Sequence, residues 1–547
     1  MTKLQTPLDA FLHWELQTPN RIFFKQHIEG DVLNYTFQEA GQEARKIATY
    51  LKSLNLPRRS HIALLSKNCA HWIMADLAIM MADHVSIPIY PTLNAEGINQ
   101  VLVHSESKAI IIGKLDNFEP QKGGIPDIPI VGLGLFGIQE GKQWEDIVKD
   151  GIALQDMPNP DLDDLHTIIY TSGTTGIPKG VMHSIGNFAE SVKIFSKELK
   201  LDNHPRLFSY LPLAHVAERM GIGTFGIFKG AEFTFAESLA TFATNLGECK
   251  PHLFFAVPRI WTKFQEKILE KLPQRKLNIL LKIPIISSVI KKKLKEKLGL
   301  GSAKYCISGA APLAASLIEW YKTIGITILE VYGMTEDCVL SHKNLPEDNK
   351  TGTVGKPWSG VQIKLSNDGE ICIKNKCMFK GYYKNSEVTA EVFDEDGYFK
   401  TGDCGEYDQE GFLTIIGRVK DQFKTDKGKY ISPSPIELEF SKNTDIEQIC
   451  IVGTGLPMPI ALITLSELGH SKSKEELTAS LAISLKEVHP IFEKHEKLEK
   501  VIVMQSDWNV ENGLTTPTMK VKRNSIEKIH RDSYLSWYGQ KESVIFE

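Results

Sequence analysis

At 547 residues the chain exceeds the roughly 250–300 residues at which a single hydrophobic core stops growing, so two or more domains are expected. Apolar residues at 42% and charged residues at 24% are ordinary for a globular protein. With 63 basic and 67 acidic side chains the formal charge is −4, which gives no reason to invoke nucleic acid but leaves room for small anionic ligands. The eight cysteines are scattered, form no CxxC pair and have no zinc spacing with histidine; they read as reduced cytosolic thiols packed as small hydrophobes, hence a cytoplasmic protein. Met1 to Pro7 lacks an apolar signal core, and no run approaches the ~20 apolar residues of a membrane span.

Up to about residue 160, helical patterns alternate with β-branched runs such as Ala109–Ile112 and Ile128–Val131, which predicts βαβ units and largely parallel sheets. Trp72 to Ile89 reads as a buried helix running into a strand. An acidic stretch, Asp156 to Asp164, leads into the apolar strand Thr167–Tyr170. The alternation resumes between 205 and 340, with strands over Leu253–Val257 and Ile326–Val331. From about 352 to 416 glycine is frequent and the runs are short and alternating, as in Gly369–Ile373 and Gly411–Ile416, which predicts antiparallel strands with tight turns. Beyond Asp421 the chain is more charged and reads as a small α+β domain.

The segment Tyr170-Thr171-Ser172-Gly173-Thr174-Thr175-Gly176-Ile177-Pro178-Lys179-Gly180 concentrates glycine, hydroxyl residues and a lysine after a strand. Glycine lets backbone N–H groups approach an anion, hydroxyls donate further hydrogen bonds, and Lys179 adds a cation. The composition is that of a phosphate-cradling loop, although a Gly/Thr run alone also suits a flexible turn. It is not the nucleoside-triphosphatase P-loop, because Gly176 is not followed directly by lysine.

In its residue order this segment resembles the signature loop of the adenylate-forming superfamily, which contains acyl-CoA synthetases, firefly-type luciferases and peptide-synthetase adenylation domains. Further segments follow in family order: Ile307–Leu313 resembles the adenine-pocket turn, with Gly309, Ala310 and Ala311; Glu330-Val331-Tyr332-Gly333-Met334-Thr335-Glu336 the second nucleotide motif; Gly397–Asp403 the ribose motif; Gly417–Asp421 the interdomain hinge; and Thr516–Arg523 the catalytic-lysine motif. The likeness runs from Asn34-Tyr35-Thr36-Phe37 to Arg523. It implies an α/β fold: a large N-terminal domain of mixed and parallel sheets flanked by helices with a small β-rich subdomain, residues 1–419, then a mobile α+β lid, residues 420–547. It also implies ATP and Mg²⁺ as cofactors.

The residue chemistry fits that resemblance, and each residue also has a plainer reading. Thr335 can donate to a phosphate oxygen and Glu336 is a hard oxygen ligand suited to Mg²⁺, while a Thr-Glu pair also suits a helix N-cap. Tyr332 offers a face for adenine or is a buried aromatic. Asp403 can accept from ribose hydroxyls or is a turn residue after Gly402. Arg418 is a permanent cation suited to phosphate or ribose oxygens. Lys520 can bridge an attacking carboxylate and the α-phosphate and stabilise the extra charge, or it is a solvated lysine of the run Lys520-Val521-Lys522-Arg523. Many family members have Ser-Gly-Lys where this chain has Thr518-Met519-Lys520, a version similar to that of the long-chain fatty acyl-CoA synthetase branch; the choice between Lys520 and Lys522 depends on the alignment, and Lys520 is the favoured one.

Three segments resemble the long-chain fatty acyl-CoA synthetase branch: Ser86–Leu93, Tyr210–Arg219 and Phe255–Trp261. By that resemblance His215 sits near the acyl carboxylate, with a structural histidine as the alternative. Phe225, Phe228, Phe233, Phe235, Phe254 and Phe255 supply an acyl tunnel or ordinary core. No carrier domain follows the small C-terminal region, so coenzyme A is the expected acceptor, with Gly428 in Thr425–Ile431 beside its thiol. The implied activity is ATP-dependent ligation of a long-chain fatty acid to coenzyme A; the alternatives are an acyl-AMP ligase delivering to a carrier protein and a catalytically weak nucleotide- or acyl-binding protein on the same scaffold. Residues 282–300 mix apolar residues with a lysine cluster, as in an ordinary amphipathic surface helix or a peripheral contact with an anionic membrane at its inner face.

Overall fold

The structure is a computed structural model that describes residues 6–171, 178–516 and 520–547. Its β-branched runs pair as expected. Strands His61–Leu65, Val85–Ile89, Ala109–Ile112 and Ile130–Gly132 are parallel neighbours in an eight-stranded sheet. The first three are buried on both faces, which is why they read as largely apolar runs and not as alternating ones. The helix Ala70–Met81 is apolar almost all round because it too is enclosed on every side, and it leads into Val85–Ile89.

A nine-stranded sheet takes up the middle of the chain. At its heart are the parallel strands Arg206–Ser209, Leu253–Ala256, Tyr305–Ser308 and Ile328–Tyr332. Ser308 lies opposite Glu330, so the last two strands end side by side and the loops after them open into one crevice. The Gly-rich region forms the predicted antiparallel sheet, Gln362–Leu365, Glu370–Lys374, Phe399–Tyr407 and Leu413–Arg418. After a short 3₁₀ turn, Val419–Asp421, a further sheet of Ile446–Val452, Ile460–Leu465, Lys500–Val503 and Val544–Phe546 has core clusters drawn wholly from residues beyond 421.

Of the two readings of the aromatic set, acyl tunnel or ordinary core, core describes most of its members. Phe225, Phe233 and Phe235 are fully buried, and the rings of Phe233 and Phe235 pack on Phe24. Phe254 packs between Trp261 and Phe264, and Phe228 lies against the main core. Phe255 is the member that turns toward Gly309. The eight cysteines are buried and unpaired. No helix among the described residues is long and apolar enough to cross a membrane.

Candidate active site

Strands Leu165–Thr171 and Lys179–Ser184 run antiparallel with Thr171 opposite Lys179. Ser172, Gly173, Thr174, Thr175 and Gly176 lie outside the described residues. Lys179, at the loop's exit, holds its ammonium over the Tyr382 ring at 4.9 Å. Tyr382 in turn donates its hydroxyl to Glu336 Oε1 at 2.8 Å.

Thr335 and Glu336 sit in a turn and not at a helix N-terminus, so the N-cap alternative does not hold. Asp337 closes this turn, accepting from Met334 N at 2.9 Å. Burial raises the Asp337 carboxyl to about 8, so it holds a proton at neutral pH. His183 fastens the turn from below: its Nε2 is 2.7 Å from Thr335 O, while Nδ1 lies 3.2 Å from Asn187 Nδ2. The amide donates, so Nδ1 accepts and Nε2 carries the hydrogen. Burial lowers His183 to about 4 and keeps it neutral. Burial also raises the Glu336 carboxyl, against the Tyr382 hydrogen bond and the Lys179 and Arg418 charges that lower it.

Gly309, Ala310 and Ala311 follow the strand Tyr305–Ser308. A Cβ on Gly309 would come within 3.0 Å of Val331 Cγ2 and 3.1 Å of Val331 O, so the close passage of this turn beside the next strand requires glycine. Ala310 adopts φ 68°, which bends the chain away and leaves Ala311 exposed at the rim. Tyr332, at the end of the neighbouring strand, gives its hydroxyl to Asp403 Oδ2 at 2.7 Å. Arg418 Nε donates to Asp403 Oδ1 at 2.8 Å across the antiparallel pair Asp403↔Arg418. Asp403 therefore belongs to a strand, not a turn, and its carboxylate is fixed from both sides; burial and Asp403 push the Tyr332 phenol well above its ordinary value.

The segment carrying His215 is pinned by Asn68. Its Oδ1 accepts from Leu213 N at 3.0 Å, and its Nδ2 donates to Leu211 O at 2.6 Å and Ser209 Oγ at 2.8 Å. Arg219 anchors the far end through a buried ion pair with Asp76 of the helix Ala70–Met81 at 2.6 Å and a hydrogen bond to Thr167, in a strand of the other sheet, at 2.5 Å. Between these anchors His215 caps the turn Val216–Glu218, with Nδ1 accepting from Ala217 N at 3.3 Å. Its Nε2 thus bears the hydrogen, and burial with the Lys520 charge lowers the imidazole to about 4. A π-helical turn, Arg219–Thr224, follows directly.

Lys520 comes from the C-terminal sheet region on a hairpin in which Thr516 N donates to Lys520 O at 2.8 Å and Thr515 pairs with Val521. Solvent reaches its side chain from the open side, while the protein crowding it and the Arg418 charge lower its ammonium pKa against the pull of Asp403. Lys520 thus shares one electrostatic neighbourhood with His215, Arg418 and Asp403. Gly428 lies exposed in the turn between Phe423–Lys424 and Tyr430–Ile431, at φ 72°, with no atom within 4 Å of a Cβ placed there. His183, Tyr382 and Asp337 escape the sequence reading, because only the fold brings them to Thr335 and Glu336; the sole hint is that Asp337 directly follows the motif.

The sequence profile described as AMP-binding enzyme matches residues 11–383, and that described as AMP-binding enzyme C-terminal domain matches residues 420–542. A long-chain-fatty-acid–CoA ligase of Mycobacterium bovis is 29% identical, over 95% of this chain and 94% of that protein. Long-chain-fatty-acid–CoA ligase 5 of Rattus norvegicus is 29% identical, over 88% of this chain and 80% of that one. The crystal structure of an anthranilate CoA ligase in complex with anthranoyl-AMP has the same fold, with a TM-score of 0.78 at 20% identity over 96% of this chain and 98% of that one. The chain belongs to the AMP-binding enzyme family and is an adenylate-forming ligase.

Proposed function

We propose that the chain is an ATP-dependent long-chain fatty acid:coenzyme A ligase, with residues 1–419 holding the nucleotide and the acid and residues 420–547 acting as the lid. The observation that carries the proposal is that Lys520, from the C-terminal half, lies within electrostatic reach of His215, Arg418 and Asp403 of the N-terminal half, where Arg418 and Asp403 are already paired across adjacent strands. The long-chain assignment draws support from the two relatives above and from the segments 86–93, 210–219 and 255–261.

In the first step a carboxylate oxygen attacks the α-phosphorus, the bond to pyrophosphate breaks and acyl-AMP forms. Two anions must approach, so the Lys520 ammonium bridges them and stabilises the charge that develops. His215, neutral and with hydrogen on Nε2, donates to the acyl carboxylate without adding a competing charge. Asp403, held by Tyr332 and Arg418, accepts from the ribose; Tyr332 and the turn Gly309–Ala311 flank the adenine. Thr171, Lys179 and Thr335 serve the phosphates, with Ser172 to Gly176 as the loop between.

A divalent cation fits Glu336. Its Oε1 takes the Tyr382 hydroxyl, while Oε2 takes no hydrogen bond from another described residue. No cluster of three or more His, Cys, Asp or Glu that could hold a metal exists among the described residues, so an ion here would rest on this one carboxylate and on substrate phosphates, as Mg²⁺ commonly does. When bound, it neutralises phosphate charge. In the second step the thiol of coenzyme A attacks the acyl carbonyl, its proton leaves to solvent and AMP departs; Gly428 lines that approach. A cytoplasmic location suits the unpaired cysteines.

A panel of acids of increasing length, with ATP and with or without coenzyme A, tests the reading. Long-chain saturated or monounsaturated acids should be preferred to acetate, since each buried CH₂ contributes about 0.8 kcal/mol. Acetate or an aromatic acid as best substrate would remove the long-chain assignment. AMP release only with an added carrier protein would replace coenzyme A as acceptor.

A further inference from the structure

The helices Gln274–Leu281 and Pro284–Lys297 carry apolar side chains on two opposite faces. On the inner face Leu277, Leu281, Ile290 and Leu294 pack on the cluster that contains Phe254, Trp261 and Phe264. On the outer face Ile279 is 61% exposed, Ile285 81% and Val289 61%, with Ile283 and Ile286 at 43% and 38%. An ordinary amphipathic surface helix turns its aliphatic side chains inward. Here five large aliphatic side chains within eleven residues face solvent although the inner face is already filled.

The same hairpin is strongly cationic. Between Gln274 and Lys297 the sequence has eight basic side chains and one acidic, a net +7 in a chain whose total is −4; the remainder is therefore −11. Lys292 and Lys293 follow Ile285 and Val289 at helical spacing, so cations and aliphatic tips share the outer face, and Lys282 is exposed at the turn. Among the described residues none of these lysines forms an ion pair.

We propose that this face is a docking surface for an anionic lipid bilayer. Aliphatic tips enter the acyl boundary while the lysines meet the headgroups. The −11 remainder of the molecule is repelled by the same surface, so a single orientation is favoured. A second copy of the chain fits poorly, because a twofold contact through this face sets +7 against +7. The inference does not depend on which acid the enzyme activates.

Flotation of the full-length protein with phosphatidylcholine vesicles, with and without phosphatidylglycerol, tests it. Binding should rise at least about tenfold with the anionic lipid and fall as salt is added. Lys292→Glu/Lys293→Glu and Ile285→Ser/Val289→Ser should each lower binding about tenfold while leaving the melting temperature within about 2 °C, since these side chains make no core contacts. Equal binding to neutral and anionic vesicles, or unchanged binding in either folded double variant, overturns the proposal. So does a dimer in sedimentation that Ile285→Ser/Val289→Ser dissolves without any vesicle binding, which assigns the face to a second copy.

Discussion

Tyr382 donates its hydroxyl to Glu336 Oε1 at 2.8 Å, and the ring that carries this hydroxyl also lies under the Lys179 ammonium. One tyrosine thus touches both the carboxylate proposed to hold a metal and the cation at the exit of the loop proposed to cradle phosphate. Its hydrogen bond lowers the Glu336 pKa against the burial that raises it. Tyr382→Phe should therefore cut pyrophosphate formation by about tenfold, the loss of one hydrogen bond to a charged group at roughly 1.5–3 kcal/mol. It should also move the acidic limb of the rate profile to higher pH and raise the Mg²⁺ concentration needed. A uniform loss of rate with neither shift would assign Tyr382 to packing alone.

Stability should be greatest near pH 6.5 within the window from pH 5 to 8. His71, His166, His183, His215 and His342 are held by burial at about 3, 3, 4, 4 and 3, below the ordinary 6.5. The unfolded chain protonates them first, so their contribution is present above pH 6.5 and is lost as pH falls toward 4. Burial holds Glu218, Glu330 and Asp337 at about 8. Their contribution runs the other way: it is present below the ordinary carboxylate range and is lost as pH rises to 8. Below pH 6.5 five histidines outweigh three acids, and above it the acids act without opposition from this set. Calorimetry of the apo protein across the window should show the melting temperature falling on both sides. Glu218→Gln imitates the protonated acid that accepts from Ser209 Oγ at 2.7 Å and Tyr210 N at 3.1 Å, and should flatten the alkaline limb. A steeper alkaline fall in this variant would contradict the assignment.

Arg259 and Glu447 form an ion pair across the two halves of the chain, from the helix Pro258–Lys271 to the strand Ile446–Val452. The pair is partly exposed, so it biases this arrangement of the two halves and does not lock it. An exposed pair contributes about 0.2–1 kcal/mol, a shift of up to about fivefold in population. Arg259→Ala should slow adenylation a few-fold and leave the acid preference unchanged, an effect that disappears in high salt. Salt-insensitive loss would point instead to a role in holding the substrate.

The sequence announces what is written in contiguous residue types and hides what depends on register or on distant contact. The enclosed helix Ala70–Met81 and the Gly-rich antiparallel sheet were legible because burial on all sides and tight turns leave composition signatures. The choice between Lys520 and Lys522 was not, because both sit in one basic run and only distant contact sets them apart: Lys520 feels the Arg418 and Asp403 charges. Nor was the pinning of Thr335 by His183, which sits in a strand more than a hundred residues upstream. The phenylalanines left tunnel and core both open for a simpler reason: an aromatic run says that rings are enclosed but not by what, and only the fold packs Phe233 and Phe235 on Phe24.

One site must run two reactions with opposite needs. Adenylation needs an ammonium at the α-phosphate, and thioester formation needs room for a thiol at the same carbonyl. Lys520 lies within electrostatic reach of Arg418 and Asp403, while Gly428 is exposed in a turn of the same C-terminal half. Rotation about the turn Val419–Asp421, centred on Lys420, would exchange them. Lys520→Ala should cost adenylate formation about 10²–10³-fold, as expected when one transition-state donor is lost, and spare thioester formation from supplied acyl-adenylate. A Cβ added at Gly428 meets no atom within 4 Å, although its φ of 72° costs about 1–2 kcal/mol without glycine, so in Gly428→Leu adenylation should persist while the thiol step fails. Lys420→Pro fixes φ near about −65° and should harm the second step more than the first. The two half-reactions are measured separately, as pyrophosphate release without coenzyme A and as thioester from purified acyl-adenylate. Equal loss of both in folded Lys520→Ala and Gly428→Leu would falsify the exchange of faces and favour a single arrangement that serves both steps.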